Sequence, residues 1–394
     1  MSEFHIEIDL VQKQPSGEIV CGDVFISKLI KEDGRTILVL SDGVGHGVRA
    51  NVLATMTATM ALNYTALYKR PEAAARIIME ALPRDGSGVK TYATFTIIEL
   101  ESDGMVRIVN YDNPKSVICR NGVPFTPTKE YVLKIKGDEN IGKVLYCREF
   151  KAKKEDRIVF MSDGITQSGM ENEKMEMGWG QENVESYVVQ QLSRISDISA
   201  HRLSKKVLNK AIQNDGFHLR DDASCGVIYF RDPREMLLIT GPPFFKAKDQ
   251  DFARRIDEYK DIKIVCGGTT AEIIARELNK EIETEISLNN PYALPRCSME
   301  GFHLITEGIL TIGKVEELLE NYNSDLKYGN LPEEEIVKQL MLHDRILVLV
   351  GTRINWAHHD PDQPVEMEIR KFVVKRIVKL LEEKFFKEVV INFY

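Results

Sequence analysis

The chain has 394 residues, which at roughly 150 per domain predicts two or three domains. Hydrophobic residues make up 43% and charged residues 28%, the balance of a globular chain with a core in each domain. The net charge is −8 and no basic stripe occurs, which excludes a nucleic acid or an anionic membrane surface as the expected partner.

No apolar run approaches the ~18 residues of a membrane span. The opening MSEFHIEIDL is acidic and alternates polar with apolar, unlike a signal peptide. The six cysteines, Cys21, Cys119, Cys147, Cys225, Cys266 and Cys297, are widely spaced with no C-x-x-C, so neither a disulfide framework nor a zinc knuckle is expected. Several lie in strand-like runs, where a thiol acts as a small hydrophobe. A cytoplasmic protein is the expectation.

The first 230 residues are mostly strand-like. FHIEIDLVQK alternates with period two, and TILVLSD follows a KEDGR turn. Helices are predicted over 48–68 and 72–82. Strands resume at TYATFTIIEL, MVRIVNYD and KSVICRNG, and VLYCREFKAK with DRIVFMSDG reads as a further pair. A long helical region, about 181–213, precedes DDASCGVIYF. Antiparallel strands with segregated helices predict an α+β fold. From about Asp232–Pro233 onward, strands and helices alternate. That order predicts an α/β domain with a mainly parallel sheet. The expected domains are therefore 1–232 and 233–394.

Four acidic spots stand at strand ends or beside glycine. They are Asp42 in ILVLSDGVGHG, Asp163 in RIVFMSDGIT, Asp23 in EIVCGDVFISKL, and the pair Asp221–Asp222 in LRDDASCGVIYF. A turn explains any single one. It does not explain two adjacent acids running straight into an apolar strand, because buried carboxylates repel and lose hydration. Carboxylates with a carbonyl and water, without Cys or His, select hard ions such as Mg²⁺ or Mn²⁺.

In this order CGDVF, SDGVGHG, FMSDGIT and RDDASC resemble the metal-dependent PPM-type serine/threonine protein phosphatases, in their SpoIIE-like branch. The resemblance covers about residues 1–230 and implies two antiparallel sheets packed as a sandwich and flanked by helices. It implies that Asp42 bridges two Mn²⁺ or Mg²⁺ ions and that the Gly43 carbonyl binds one of them. Asp23 would serve the second ion, mainly through water, while Asp163 and Asp221 complete the first. In the family the last metal-binding acid precedes an Asp or Asn, which places Asp222 behind Asp221. Two such ions about 3.5–4 Å apart would activate a bridging water for in-line attack on phosphorus. His46 would protonate the leaving alkoxide, or else orient the loop or cap the following helix; the structural role is the favoured one.

The chain departs from the pattern in three places. Cys21 stands where the branch often has glycine, Ile26 stands where it has a second acid, and Asn113–Pro114 replaces a His-containing turn. The two helices after Asp42 are read first as core and second as a switch that organises the metal site. The Met-rich loop 167–180 is read as a substrate flap or a surface loop.

In the second domain, Gly267, Gly268, Thr269 and Thr270 lie between a strand and a helix, where a small anion could bind; Thr269 or Thr270 as plain N-cap is the alternative. AHHDPDQP (357–364) reads as an exposed turn before a metal site, and Arg353 as a strand-end cation. The segment 371–387 reads as an amphipathic helix packed on the core. The leading expectation is a phosphatase of phosphoserine or phosphothreonine on a regulatory protein. The alternatives are a phosphatase of a small phosphorylated metabolite and a scaffold that binds a phosphorylated partner without turnover. The second domain would regulate or dock, and a homodimer is left open.

Overall fold

The computed structural model describes residues 4–30, 32–45, 47–68, 70–81, 93–134, 144–170, 175, 177–285, 295–322, 329–353, 363–385 and 387–394. The chain divides into two compact units, Met1–Asp232 and Pro233–Tyr394.

The first unit begins with strands β1 (His5–Lys13), β2 (Asp23–Ile30) and β3 (Arg35–Gly43), then helices α1 (Gly47–Tyr68) and α2 (Pro71–Ala81). Strands β4 (Ala93–Leu100), β5 (Met105–Tyr111), β6 (Val117–Arg120), β7 (Val123–Pro124), β8 (Lys129–Lys134), β9 (Val144–Lys151) and β10 (Asp156–Met161) follow. Helices α3 (Asp163–Thr166), α4 (Gln181–Arg194) and α5 (Ala200–Asn214) precede β11 (Ala223–Arg231). One sheet has the order β1-β11-β10-β6-β7 and the other β2-β3-β4-β5-β9-β8, with antiparallel pairing throughout.

Period-two alternation sorts each strand between two cores. In β3, Leu38 and Leu40 face the layer between the sheets, where they meet Ile158, Phe160, Ile228 and Phe230 of the other sheet. Their neighbours Ile37 and Val39 pack outward under α1 and α2. In β10 and β11, Val159, Met161, Cys225 and Val227 pack outward under α4 and α5. The result is helix, sheet, sheet, helix, the α+β sandwich expected from the motifs. The stretch 181–213 is two helices rather than one. Ser199 is extended and accepts a hydrogen bond from the Arg202 N–H, which starts α5 afresh.

The second unit contains β12 (Glu235–Thr240), α6 (Asp249–Asp257), β13 (Ile262–Cys266), α7 (Gly268–Leu278), β14 (Glu283–Glu285), β15 (Arg296–Ser298) and β16 (Leu304–Thr306). It continues with α8 (Ile309–Glu320), α9 (Pro332–Leu342), β17 (Arg345–Val350), α10 (Gln363–Glu383) and β18 (Glu388–Phe393). Its mixed sheet runs β14-β15-β16-β13-β12-β17-β18, and the strands from β16 to β18 are parallel. The sequence reading missed α9 and β18. A signal for α9 was present, because Pro332 opens the helix and Glu334 bonds back to the Leu331 N–H at 3.1 Å. Among the described residues β18 pairs only with β17, which lies before α10 in the chain.

The strand order reverses between β12 and β17, where open α/β sheets commonly bind ligands. Here Gly241 and Gly351, one after each strand, touch backbone to backbone. A Cβ on Gly351 would lie 2.2 Å from the Gly241 carbonyl oxygen. Along α10, Val374, Ile377 and Leu381 are buried, the core packing expected for this helix.

Candidate metal centre

The acids collect where the inner faces of the two sheets run out of apolar residues. Asp23 opens β2 and pairs directly with Asp42 near the end of β3. Both continue inner-face alternations, Asp23 with Phe25 and Asp42 with Leu38 and Leu40. On the facing sheet, the position after Phe160 on that face is Ser162, and the inner-face residue that opens β11 is Ser224. Beneath them Phe25 stacks on Phe160 at 6.0 Å. Gly226 makes room for that ring, since a Cβ there would lie 2.1 Å from it.

Two serines tie the acid loops together. Ser224 Oγ donates to Asp23 Oδ2 at 2.6 Å, a bond from one sheet to the other. The Ser224 N–H donates to Ser162 Oγ at 2.9 Å. Asp163 follows Ser162 as the first residue of α3, and Gln167 Nε2 donates to its Oδ2 at 2.8 Å. Gly164 sits where a Cβ would lie 2.3 Å from the Asp222 carbonyl oxygen, so α3 and the 221–222 loop are in backbone contact.

The expected reason for Gly43, free approach of its carbonyl to an ion, has a structural companion. A Cβ on Gly43 would lie 2.0 Å from the Ala50 carbonyl oxygen. Glycine is required there for the first turns of α1 to pack against the end of β3.

Burial, followed by the charges of Asp23 and Asp163, pushes the Asp42 carboxyl up to about 10. Burial raises Asp23 to about 7, while hydrogen bonds from Ser224 and Ser162 oppose the rise. Asp163 is also raised, first by burial. The neighbouring pair divides. Asp221 acts on Asp42 and Asp163, whereas Asp222 acts on Asp23 and Cys21. Asp222 is buried, and its N–H donates to Asp221 Oδ1 at 2.9 Å.

Oδ1 of Asp23 and Oδ1 of Asp163 are buried with no hydrogen-bond partner. Buried carboxylate oxygens demand a proton or a cation, and an all-oxygen set fits a hard divalent ion. Among the described residues no three His, Cys, Asp or Glu side chains stand close enough to hold an ion without rearrangement. An ion held by these residues would have to draw the carboxylates inward.

Sequence reasoning missed Ser162, Ser224, Gln167 and Asp112. Asp112 has a left-handed φ of 58° in the turn after β5, and its charge acts on Asp163. The signal for the serines was the Ser beside each acid motif. Asn113, in the departed turn, accepts from the Thr94 hydroxyl and donates to the Thr96 hydroxyl at 3.1 Å. Thr94 pairs with Asp42 across β3 and β4. Ile26 packs outward on the helix side. His46 lies outside the described residues.

Of the loop 167–180, residues 171–174 and 176 lie outside the described residues; the rest returns to α3 through Gly180 N–H to Thr166 O at 2.8 Å. In the second unit, Gly267 is the N-cap of α7 and no side chain caps it, so neither Thr269 nor Thr270 plays that role. Most of 357–364 lies outside the described residues. Arg353 pairs with the buried Asp249 rather than standing free. Among the described residues no helix is long and apolar enough to cross a membrane.

The model of the family described as Stage II sporulation protein E (SpoIIE) matches residues 32–231. A comparison with curated proteins returns no match. Among solved structures, the PP2C phosphatase domain with a fragment of the regulatory domain of SpoIIE from Bacillus subtilis is 16% identical at a TM-score of 0.47, over 58% of this chain and 64% of that chain, under two thirds of its length. The SpoIIE phosphatase domain from Bacillus subtilis in a form without domain swapping is 15% identical at 0.44, over 59% of this chain and 95% of that one. RsbX in complex with magnesium is 17% identical at 0.41, over 58% and 97%. The family match spans just over half of the chain, from before β3 to the end of β11, and takes in Asp42, Asp163, Asp221 and Asp222. The chain therefore belongs to the SpoIIE family of PP2C-type phosphatases.

Proposed function

We propose that this chain is a divalent-cation-dependent phosphatase that releases phosphate from phosphoserine or phosphothreonine on a regulatory protein. The observation that carries this reading is the convergence of acids from β2, β3, α3 and the loop before β11, with Asp23 Oδ1 and Asp163 Oδ1 buried and unpaired. In this reading Asp42, Asp163, Asp221 and the Gly43 carbonyl would hold one Mn²⁺ or Mg²⁺. Asp42 and Asp23 would serve a second, with Asp222 behind Asp23. Bound there, two such ions lower the pKa of a water and neutralise phosphoryl oxygens.

The chain's own residues supply the preorganisation. Ser224 fixes the Asp23 carboxylate, Gln167 fixes Asp163, and the Asp222 N–H orients Asp221. The Phe25–Phe160 pair closes the floor of the site with apolar surface. The magnesium named with RsbX supports Mg²⁺ as one candidate ion. The second unit is proposed to regulate or dock, by analogy with domains that accompany phosphatases.

The test is release of phosphate from p-nitrophenyl phosphate and from a phosphoprotein panel, with and without Mn²⁺. Wild type should turn over only with a divalent ion, and Asp42→Asn should not. Absence of release under any divalent ion would leave the binding scaffold as the reading. Release from small esters but from no phosphoprotein would favour a metabolite substrate.

A further inference from the structure

We propose that the second unit holds a phosphoryl-binding site, built where the N-termini of α7 and α8 meet beyond the ends of β13 and β16. It takes the dianion of free phosphate or of a small phosphate monoester. It shares no residue with the acid cluster and needs no metal.

β13 and β16 are parallel neighbours, with Cys266 opposite Thr306. The helices that follow them leave to opposite faces of the sheet. Ala271 and Ile274 of α7 pack in one core, Ile312 and Val315 of α8 in the other. Adjacent strands whose helices diverge leave a crevice at their carboxyl ends, where open α/β sheets bind ligands. Each helix opens on glycine, and neither has a side-chain cap. A Cβ on Gly308 would lie 3.7 Å from the Gly267 Cα, so the two N-caps are in contact. In α7 the N–H groups of Gly268, Thr269 and Thr270 precede the first intrahelical bond, from the Ala271 N–H to the Gly267 carbonyl at 3.0 Å. In α8 those of Ile309, Leu310 and Thr311 precede the bond from the Ile312 N–H to the Gly308 carbonyl at 3.3 Å. Such groups attract anions, and here two sets of them start side by side.

An independent observation points to a ligand at the same place. Thr270 and Thr311 hold the same position in the two helices, three residues after the glycine. Thr270 is 1% exposed and Thr311 0%. Thr311 Oγ1 is buried with no hydrogen-bond partner. Thr270 Oγ1 stands 3.2 Å from where a Cβ on Gly267 would be, over the open side of that glycine. Helical side chains lean toward the helix N-terminus, so both threonines lean toward their N-caps. The Gly267 N–H is already committed to the Thr306 carbonyl at 2.8 Å. A buried hydroxyl without a partner carries a free-energy cost that a bound oxyanion removes. Hydroxyl and N–H donors arriving from two helices match the several oxygens of a phosphoryl group better than the two of a carboxylate. Gly268 leaves the way in, being exposed and with nothing within 4 Å of a Cβ placed there.

The experiment titrates the full chain in EDTA by calorimetry with inorganic phosphate, phenyl phosphate and acetate. It is repeated in Asp42→Asn, which separates this site from the acid cluster. Phosphate or phenyl phosphate should bind in both backgrounds, and acetate more weakly; the tighter of the two phosphates identifies the source as free phosphate or a monoester. Gly268→Asp sets a carboxylate on the first turn of α7, where the helix dipole favours it, and should lower phosphate affinity by about tenfold or more. Gly268→Asn, without the charge, should bind much as wild type does. Thr270→Val and Thr311→Val keep the shape, remove a hydroxyl, and should each lower affinity by about tenfold. Circular dichroism melts check each fold, and the valine variants read the site should Gly268→Asp misfold. Absence of binding by either phosphate at millimolar concentration would overturn the proposal. So would phosphate binding that is lost in Asp42→Asn, that Gly268→Asp and both valine variants leave unchanged, or that acetate equals. All these measurements are made without metal, so their failure leaves the metal reading standing.

Discussion

Ser224 donates its hydroxyl proton to Asp23 Oδ2 at 2.6 Å, joining two residues 201 positions apart and bridging the two sheets of the sandwich. Ser224→Ala removes the orienting group but leaves the carboxylate. Metal affinity should fall by about 10–100-fold, while the fold loses only about 1 kcal/mol. Calorimetric titration with Mn²⁺ and urea denaturation measure the two effects separately. A variant that loses stability but binds Mn²⁺ as wild type does would remove Ser224 from the site.

Asp42 is held up to about 10, first by burial and then by Asp23 and Asp163. A carboxyl raised in the folded state adds stability below its unfolded value of 3.8, and that contribution is lost as pH rises toward 10. At neutral pH the metal-free chain therefore bears the cost of this group. Asp42→Asn should raise the metal-free melting temperature, by on the order of 1 kcal/mol or more in stability. It should also abolish the rise that Mn²⁺ gives wild type. Differential scanning fluorimetry with EDTA and with Mn²⁺ checks both signs. A variant less stable than wild type in EDTA would contradict the strained acid cluster.

Gly43→Ala places a Cβ 2.0 Å from the Ala50 carbonyl oxygen, and Gly164→Ala one 2.3 Å from that of Asp222. Both contacts are with backbone, which cannot rotate away. Each substitution should cost about 1–3 kcal/mol or more, read as a lower urea midpoint. Gly45→Ala, which has open space for a Cβ but a φ of 97°, should be strained by its backbone instead.

His343 ends α9 in the second unit, with Nδ1 donating to the Gln339 carbonyl at 2.7 Å. Burial holds its titration below the ordinary 6.5. The neutral ring therefore contributes stability that is complete above 6.5 and is lost as pH falls from there toward its lowered folded value. Thermal melts across that range should show a steeper acid loss in wild type than in His343→Gln. Parallel curves would rule out this histidine as the source.

The fold was legible where pattern is local. Alternation in β3 and β10, the repeated Ser-Asp-Gly and the glycine-marked turns set the strands and the acid positions. α9 and the break between α4 and α5 were legible in principle, through Pro332 and Ser199, and were passed over. β18 was not, because its only described strand partner is β17, from which α10 separates it in the chain.

By itself the sequence determined which residues end strands in acid, and through the ordered motifs it pointed to the family. Side-chain alternation and charge density are properties of neighbours along the chain, so they survive in one dimension. Only the tertiary structure decided which acid meets which. The charge of Asp221 acts on Asp42 and Asp163, while that of Asp222 acts on Asp23 and Cys21. Packing two sheets face to face sets that division, along with the Ser224–Asp23 bond and the need for glycine at position 43. Each depends on distances between segments that no local pattern encodes.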